Sequence, residues 1–235
     1  MENNIAYGIF DYRKIFTKLA DEDPNFLKKE IFSIKGDSLK TLLELYDQLE
    51  ISIKSDDNND NKKLTNNNGK ILEKIAKFIF LQNHMYQVKN NIRDSSNEID
   101  LILKLNDLGN QEISILPDVL KNNKEFIIEC KNYKRKIGVT WVGKFFSLLI
   151  NRNLKFGIII SYHPLAGKGE WDSAKGLVKK LFLKSDIAII NICKDDIKRI
   201  KDGETNIIEL IEAKYNNLIF QTDLDKCISK HPAEQ

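Results

Sequence analysis

The chain has 235 residues, of which 42% are hydrophobic and 30% are charged. This composition suits one domain of ordinary size with an appendage, or two small domains, and it supplies enough apolar residues for a core. No apolar stretch approaches the ~20 residues that cross a bilayer, and residues 1–4 lack the basic-then-apolar order of a signal peptide. We therefore expect a cytoplasmic protein with no membrane contact.

The cysteines and histidines show no spacing typical of a metal centre. There are three of each, they lie far apart, and no Cys-x-x-Cys pair occurs. An odd number of scattered cysteines argues against a disulfide framework or a zinc site. Cys130 and Cys193 lie in apolar runs, so we expect them to be small core residues.

The net charge of +3 is too small to predict nucleic-acid binding, but the charge is unevenly distributed. Residues 121–160 contain nine basic and two acidic residues, a net charge of +7, so the rest of the chain is net acidic. A basic segment of this kind is suited to the backbone of a polyanion. The alternative interpretation is a solvated loop and helix face.

Residues 1–54 are predicted to form a small helical N-terminal region. Asp23 and Pro24 are typical of an N-cap followed by a first-turn proline. An apolar stripe with helical spacing follows at Leu39, Leu42, Leu43 and Tyr46. We interpret the region as a module for dimerisation, DNA reading or partner binding, or as a cap on the core.

Residues 55–68 are nearly free of apolar side chains and are predicted to be a polar linker or loop. They mark the start of a domain that we expect to span residues 69–222. Residues 223–235 are predicted to be a polar tail.

The domain is predicted to begin with a helix at residues 69–82, in which Glu73 lies on the flank of the apolar stripe. Strands are predicted at residues 85–89 and 99–105. Asp100 lies at the start of the second of these strands, directly before a run of apolar residues.

A further buried strand is predicted at residues 126–128 and is followed by Glu129, Cys130 and Lys131. Because side chains alternate between the two faces of a strand, Glu129 and Lys131 point to one side and Cys130 to the other. A carboxylate and an ammonium at the end of a buried strand are costly without a partner or a task. The alternative is a solvated strand end at which the two charges merely neutralise each other.

Asp100 and the Glu129–Lys131 pair together offer carboxylate oxygens and a cation around one point. Mg²⁺ accepts one or two carboxylates while phosphate and water supply the remaining ligands, and a bound metal activates water towards a phosphodiester. Lys131 is suited to orient or deprotonate that water, or to stabilise the charge that develops on phosphorus. The pattern therefore predicts a phosphodiester-cleaving site.

Asp118 is an alternative to Asp100, since it follows Pro117 and precedes Glu129 by a short interval. We prefer Asp100 because it heads a clean apolar strand, whereas only Val119 and Leu120 separate Asp118 from a polar turn.

The rest of the chain alternates between helices and strands, which indicates a layered α/β domain. Helices are predicted at residues 140–151, 171–183, 195–200 and 206–215, and strands at residues 155–161 and 187–192. The first of these helices has an apolar stripe formed by Trp141, Phe145, Leu148 and Leu149. The basic residues predicted to contact nucleic acid are Lys134, Arg135, Lys136, Lys144 and Arg152.

These motifs, taken in order, resemble the PD-(D/E)XK nuclease superfamily and, more closely, its Mrr-like restriction endonuclease branch. The resemblance covers residues 69–220 and rests on Gly69 with Glu73, Glu98-Ile99-Asp100, Glu129-Cys130-Lys131-Asn132 and the later strand–helix–strand pattern. It implies an α/β fold, with a restriction-endonuclease-like core in which helices flank a mixed central sheet.

The resemblance also implies a Mg²⁺-dependent nuclease in which Mn²⁺ can substitute. It implies that Asp100, Glu129 and the backbone carbonyl of Cys130 hold the metal, that Lys131 is the catalytic lysine, and that Glu73 is an accessory acid. Many Mrr-like relatives carry a glutamine-type residue in the helix after this strand. Residues 140–151 contain no glutamine, so no such role is assigned.

We therefore expect a Mg²⁺-dependent endodeoxyribonuclease that acts on DNA, in restriction or defence against foreign DNA. Because a duplex cut needs two sites, we expect a homodimer or a partner protein bound through the N-terminal helices. A junction-specific nuclease or an RNase is an alternative. A nucleic-acid-binding or regulatory module without turnover is a further alternative.

Overall fold

The computed structural model describes four ranges of the chain, residues 26–56, 62–93, 98–133 and 135–220. The predicted N-cap at Asp23 and Pro24, the predicted phosphate contact Lys134 and the tail at residues 223–235 lie outside these ranges. None of the helices within them is long and apolar enough to cross a membrane.

Helices and strands alternate along the described ranges. The helices are α1 (Phe26–Phe32), α2 (Gly36–Asp56), α3 (Lys62–Leu81), α4 (Asp107–Gln111), α5 (Asp118–Asn122), α6 (Val139–Asn151), α7 (Ser173–Ser185), α8 (Lys194–Lys201) and α9 (Ile207–Ile219), with a 3₁₀ turn at Ile113–Ile115. The strands are β1 (Tyr86–Arg93), β2 (Glu98–Leu105), β3 (Glu125–Lys131), β4 (Phe156–Ser161) and β5 (Ala188–Cys193).

The strands form one mixed sheet in the order β1-β2-β3-β4-β5. The first three strands are antiparallel neighbours, whereas β3, β4 and β5 run parallel. Parallel neighbours need a crossover, and α6 and α7 provide the two crossovers here. The prediction of an α/β fold with a mixed central sheet flanked by helices, preceded by N-terminal helices, is confirmed.

Strands β3 and β4 lie within the core. All six residues of β4 are buried, as are Phe126, Ile127 and Ile128 of β3. Strands covered on both faces carry continuous apolar runs, which is why both could be recognised in the sequence. Phe126 lies at the centre of an aromatic cluster, with ring centroids 5.8 Å from Phe80, 5.9 Å from Tyr86 and 5.3 Å from Phe156.

The N-terminal helices pack onto this same core. Leu42, Tyr46 and Leu49 of α2 are at most 7% exposed and belong to one continuous apolar cluster with the sheet residues. The Lys194 ammonium at the start of α8 lies 3.1 Å from the Glu50 carboxylate of α2. The helical character of this region is confirmed for residues 26–54, while its division from the following domain stays a prediction.

The helices on either side of the predicted linker are longer than the sequence indicated. α2 continues to Asp56 and α3 begins at Lys62 rather than at Gly69, so most of residues 55–68 has helical backbone. These residues do not form the expected loop, because a helix that is already nucleated extends through polar residues at one hydrogen bond per residue. Their role as a linker between two domains stays a prediction. β1 likewise continues past residue 89, because its polar end still pairs with β2 at the edge of the sheet.

Two glycines on neighbouring elements are expected to respond in opposite ways to substitution by alanine. A Cβ on Gly157 of β4 would lie 2.8 Å from ring atoms of Phe145 and 2.9 Å from Leu149, so we expect a loss of about 1–3 kcal/mol of stability. A Cβ on Gly143 of α6 would meet nothing within 4 Å, so Gly143→Ala should stabilise the protein by about 0.5–1 kcal/mol. Urea denaturation of both variants and the wild type measures these changes.

Candidate active site

The candidate site lies where the β2–β3 ladder ends. The ladder runs from Lys104 opposite Glu125 to Leu101 opposite Ile128. One residue further, the same register sets Asp100 opposite Glu129. Here the Cys130 backbone N–H donates a hydrogen bond of 2.6 Å to Oδ2 of Asp100. The Asp100 carboxylate therefore lies against the β3 backbone at the carboxyl edge of β3.

Glu129 and Lys131 share one face of β3, as their spacing predicted. The Lys131 ammonium pairs with Oε1 of Glu129, and the two side chains are only 17% and 16% exposed. The second carboxylate oxygen, Oε2 of Glu129, is buried and has no hydrogen-bond partner among the described residues. A buried carboxylate oxygen without a partner is costly, so this site is short of a cation or a donor.

The electrostatics of the site follow from burial. Burial raises the pKa of Glu129 to about 7, and the nearby charge of Asp100 acts in the same direction, against the opposing effect of Lys131. Burial acts to lower the pKa of Lys131, but the charges of Glu129 and Asp100 outweigh it, so the pKa is raised above its usual value. Lys131 therefore remains protonated at neutral pH.

Glu73 also contributes to this electrostatic environment. It is half-buried on α3, which packs against β3. Its charge raises the pKa of Glu129 and that of the buried Cys130 thiol, although burial is the larger cause for both. The structure thus brings the predicted accessory acid near the Glu129–Lys131 pair.

Asp118, the alternative to Asp100, lies elsewhere. Its side chain is 85% exposed and lies 3.1 Å from the Lys121 ammonium, at the start of α5. α5 precedes the amino end of β3, whereas Glu129 lies near the carboxyl end. The carboxylate that accompanies Glu129 in the fold is therefore that of Asp100.

The predicted phosphate contacts are divided between the two ends of α6. Arg135 and Lys136 are exposed in the loop after β3, at the same edge of the sheet as Glu129. Lys144 is exposed on the first half of α6. Arg152 follows the last residue of the helix, roughly 12 Å further along its axis than Lys144. The geometry therefore does not bring Arg152 to the site, because α6 runs away from it.

Two aromatic residues at the site, Tyr133 and Trp141, were not assigned a functional role from the sequence. Trp141 was predicted to be a core residue of the helix stripe, but it is only partly buried. Its ring centroid lies 5.1 Å from the Lys131 ammonium and 5.1 Å from the ring of Tyr133, with which it stacks. The signal in the sequence was an aromatic residue two positions after the Glu-x-Lys motif and another in the first turn of the next helix.

The donor set fits a hard divalent cation. No group of three Asp, Glu, His or Cys side chains within the described ranges is arranged to hold a metal by itself. Mg²⁺ does not need such a group, since one or two carboxylates with water and substrate phosphate complete its octahedron. Asp100 and Oε2 of Glu129, which accepts no hydrogen bond from the described residues, supply what is required.

One of three comparisons with known proteins identifies a family for this chain. Residues 64–192 match the model of the Mrr_cat family, described as restriction endonuclease. Searches of curated proteins and of solved structures found no match. The matched segment covers more than half of the 235 residues and contains Glu73, Asp100, Glu129 and Lys131. The chain therefore belongs to the Mrr_cat restriction endonuclease family.

Proposed function

We propose that this protein is a Mg²⁺-dependent endodeoxyribonuclease that hydrolyses DNA phosphodiester bonds, in restriction or in defence against foreign DNA. The observation that carries the proposal is the buried Oε2 of Glu129 near Asp100, for which the described part of the chain provides no hydrogen-bond partner. Membership of a restriction endonuclease family supports the choice of DNA as substrate.

Asp100 and Glu129 would hold Mg²⁺, or Mn²⁺ in its place, through their carboxylates. The backbone carbonyl of Cys130 is the third proposed ligand. The N–H and C=O of a strand residue point to the same side, and the Cys130 N–H points to Asp100. The carbonyl is therefore expected to face the same gap. The metal, when bound, supplies Lewis-acid polarisation of the phosphodiester and a more acidic water.

Lys131 would stabilise the negative charge that develops on the phosphate and orient the attacking water. We prefer this role to that of a general base, because the raised pKa keeps its ammonium protonated. Glu73 would act as an accessory acid at the margin of the site.

Basic side chains next to the site would contact the phosphates of the DNA backbone. Arg135, Lys136 and Lys144 are the described residues suited to this, and Lys134 is proposed from the sequence alone. Because one site cuts one strand, cleavage of a duplex would need a homodimer or a partner, for which the N-terminal helices remain the proposed surface.

Asp100→Asn is the sharpest test of the metal site. The amide keeps an oxygen that accepts from the Cys130 N–H, so the fold should be retained. Loss of the charge should weaken Mg²⁺ binding and slow plasmid cleavage by at least about 100-fold. Calorimetric titration of Mg²⁺ and a plasmid-nicking assay in Mg²⁺, Mn²⁺ or EDTA measure the two effects.

Asp118→Asn is the matched control, because it removes the same charge at an exposed position of α5. We expect it to bind Mg²⁺ and cut DNA as the wild type does. If Asp118→Asn is inactive and Asp100→Asn is active, the assignment of the metal site fails. DNA binding that persists in EDTA, with no cleavage in any divalent metal, would instead support a binding module.

A further inference from the structure

A stacked aromatic pair adjoins the proposed catalytic centre. The rings of Tyr133 and Trp141 lie with centroids 5.1 Å apart and planes inclined by 27°. Tyr133 follows Lys131 by two residues, which is at most roughly 7 Å of extended chain. Trp141 lies in the first turn of α6, so the stacked pair connects the end of β3 to the start of α6.

Positive charge surrounds this pair. The Lys131 ammonium lies 5.1 Å from the Trp141 ring centroid and the Lys144 ammonium 4.8 Å from it. Arg135 is exposed in the loop between the two aromatic residues. A phosphate backbone drawn to Lys131 would therefore pass alongside the ring of Tyr133.

Tyr133 is not part of the apolar core, although the partly buried Trp141 packs against that core. Tyr133 is 38% exposed, whereas the aromatic residues around Phe126 are almost completely buried. Burial raises the pKa of Tyr133. The charge of Lys131 acts to lower this pKa and the charges of Glu129 and Asp100 act to raise it, so the Tyr133 hydroxyl lies within the electrostatic field of the site. A partly exposed ring at this place offers an apolar face to whatever occupies the site.

We propose that Tyr133, supported by Trp141, is a stacking surface for an unpaired nucleobase next to the scissile phosphate. In an intact duplex both faces of each base are covered by neighbouring bases, so only an unpaired or extruded base can stack on a protein ring. The substrate class that follows is DNA with unpaired nucleotides at the cut, such as a gap or a flap, in preference to uninterrupted duplex. This inference rests on the proposed nuclease function.

The binding test separates bases from phosphates and needs no cleavage. Fluorescence anisotropy in EDTA compares a labelled thymidine oligonucleotide with an abasic oligonucleotide of equal length and charge. We expect the wild type to bind the thymidine strand about 5- to 150-fold more tightly, the range that stacking of one base provides. Tyr133→Phe should keep this preference, and Tyr133→Leu should remove most of it.

Phe220→Leu is the matched control, because Phe220 is 68% exposed but follows α9. It should keep the wild-type preference. Equal affinity of the wild type for both strands would overturn the proposal, and so would an undiminished preference in Tyr133→Leu.

The cleavage test uses Mg²⁺ and compares gapped duplex with intact duplex of the same sequence. The wild type should cut the gapped duplex faster, and Tyr133→Leu should reduce the ratio of the two rates by at least about five-fold. A ratio that is unchanged by this variant would contradict the stacking surface. A wild type that cuts no substrate would contradict the proposed nuclease function, while the anisotropy result would still decide whether the rings bind a base.

Discussion

Replacing Lys131 by alanine is expected to slow Mg²⁺-dependent DNA cleavage by about 100- to 1,000-fold, the cost of removing one charge-stabilising group from a water-poor site. The side chain is only 17% exposed, so solvent cannot readily replace its ammonium. The rate constant for nicking of supercoiled plasmid, measured at saturating enzyme and Mg²⁺, reports this change.

Lys124→Ala provides the matched control for this variant. Lys124 is exposed and directly precedes the amino end of β3, so its removal takes one positive charge from the other end of the same strand. Its nicking rate should equal that of the wild type. Equal rates for Lys131→Ala and the wild type would remove Lys131 from the mechanism, whatever the effect on DNA affinity.

Glu129→Gln should stabilise the metal-free protein while abolishing cleavage. Burial holds the pKa of Glu129 at about 7 against an ordinary value of 4.5, so ionising this side chain costs the folded state up to about 3 kcal/mol. Glutamine has nearly the same shape without that charge. The free energy of unfolding of Glu129→Gln in EDTA at about pH 8 should therefore exceed that of the wild type by up to this amount.

The pH dependence gives the sign of this effect. Between pH 4.5 and about 7 the folded protein keeps a proton on Glu129 that the unfolded chain has lost. Wild-type stability should therefore fall as pH rises through this window, whereas Glu129→Gln should lack this decline. At about pH 4 the two proteins should be equally stable, because Glu129 is protonated in both states.

Mg²⁺ should stabilise the wild type but not Glu129→Gln. Mg²⁺ at about 100 times its dissociation constant stabilises the folded wild type by about 2.7 kcal/mol, and this gain should be absent from Glu129→Gln. Urea denaturation at about pH 4 and about pH 8, each with EDTA and with Mg²⁺, measures the free energy of unfolding under these four conditions. Glu125→Gln is the control, since Glu125 lies on the same strand but its side chain is 45% exposed. A wild type that is as stable as Glu129→Gln in EDTA at the higher pH would contradict the burial argument.

The strands could be predicted from the sequence because each carries a local signal. The run at residues 126–128 and the run at residues 155–161 are apolar on both faces, as strands in the middle of a covered sheet must be. The observed β4, Phe156–Ser161, differs from the predicted strand by one residue. The polar end of β1 was missed because it is held by pairing with β2 and not by its own side chains.

Positions that depend on distant contacts could not be predicted. Arg152 lies in the basic segment at residues 121–160, but it follows the last residue of α6, the end of the helix that is far from the site. Trp141 fitted an apolar stripe, and its contact with Lys131 depends on how the start of α6 meets the end of β3. The high pKa of Glu129 depends on burial, which arises only once α3 and the sheet enclose it.

The sequence by itself determined that Glu129 and Lys131 share one face of a strand, because the two-residue alternation of side chains is a local property of extended backbone. It also determined the family, because the motifs and their order along the chain can be read directly from the sequence. Only the tertiary structure decided which aspartate accompanies this pair, because Asp100 reaches the Cys130 N–H, 30 residues away, through the register of β2 on β3. A register is defined by the pairing of two strands, so it cannot be read from the sequence of either strand alone.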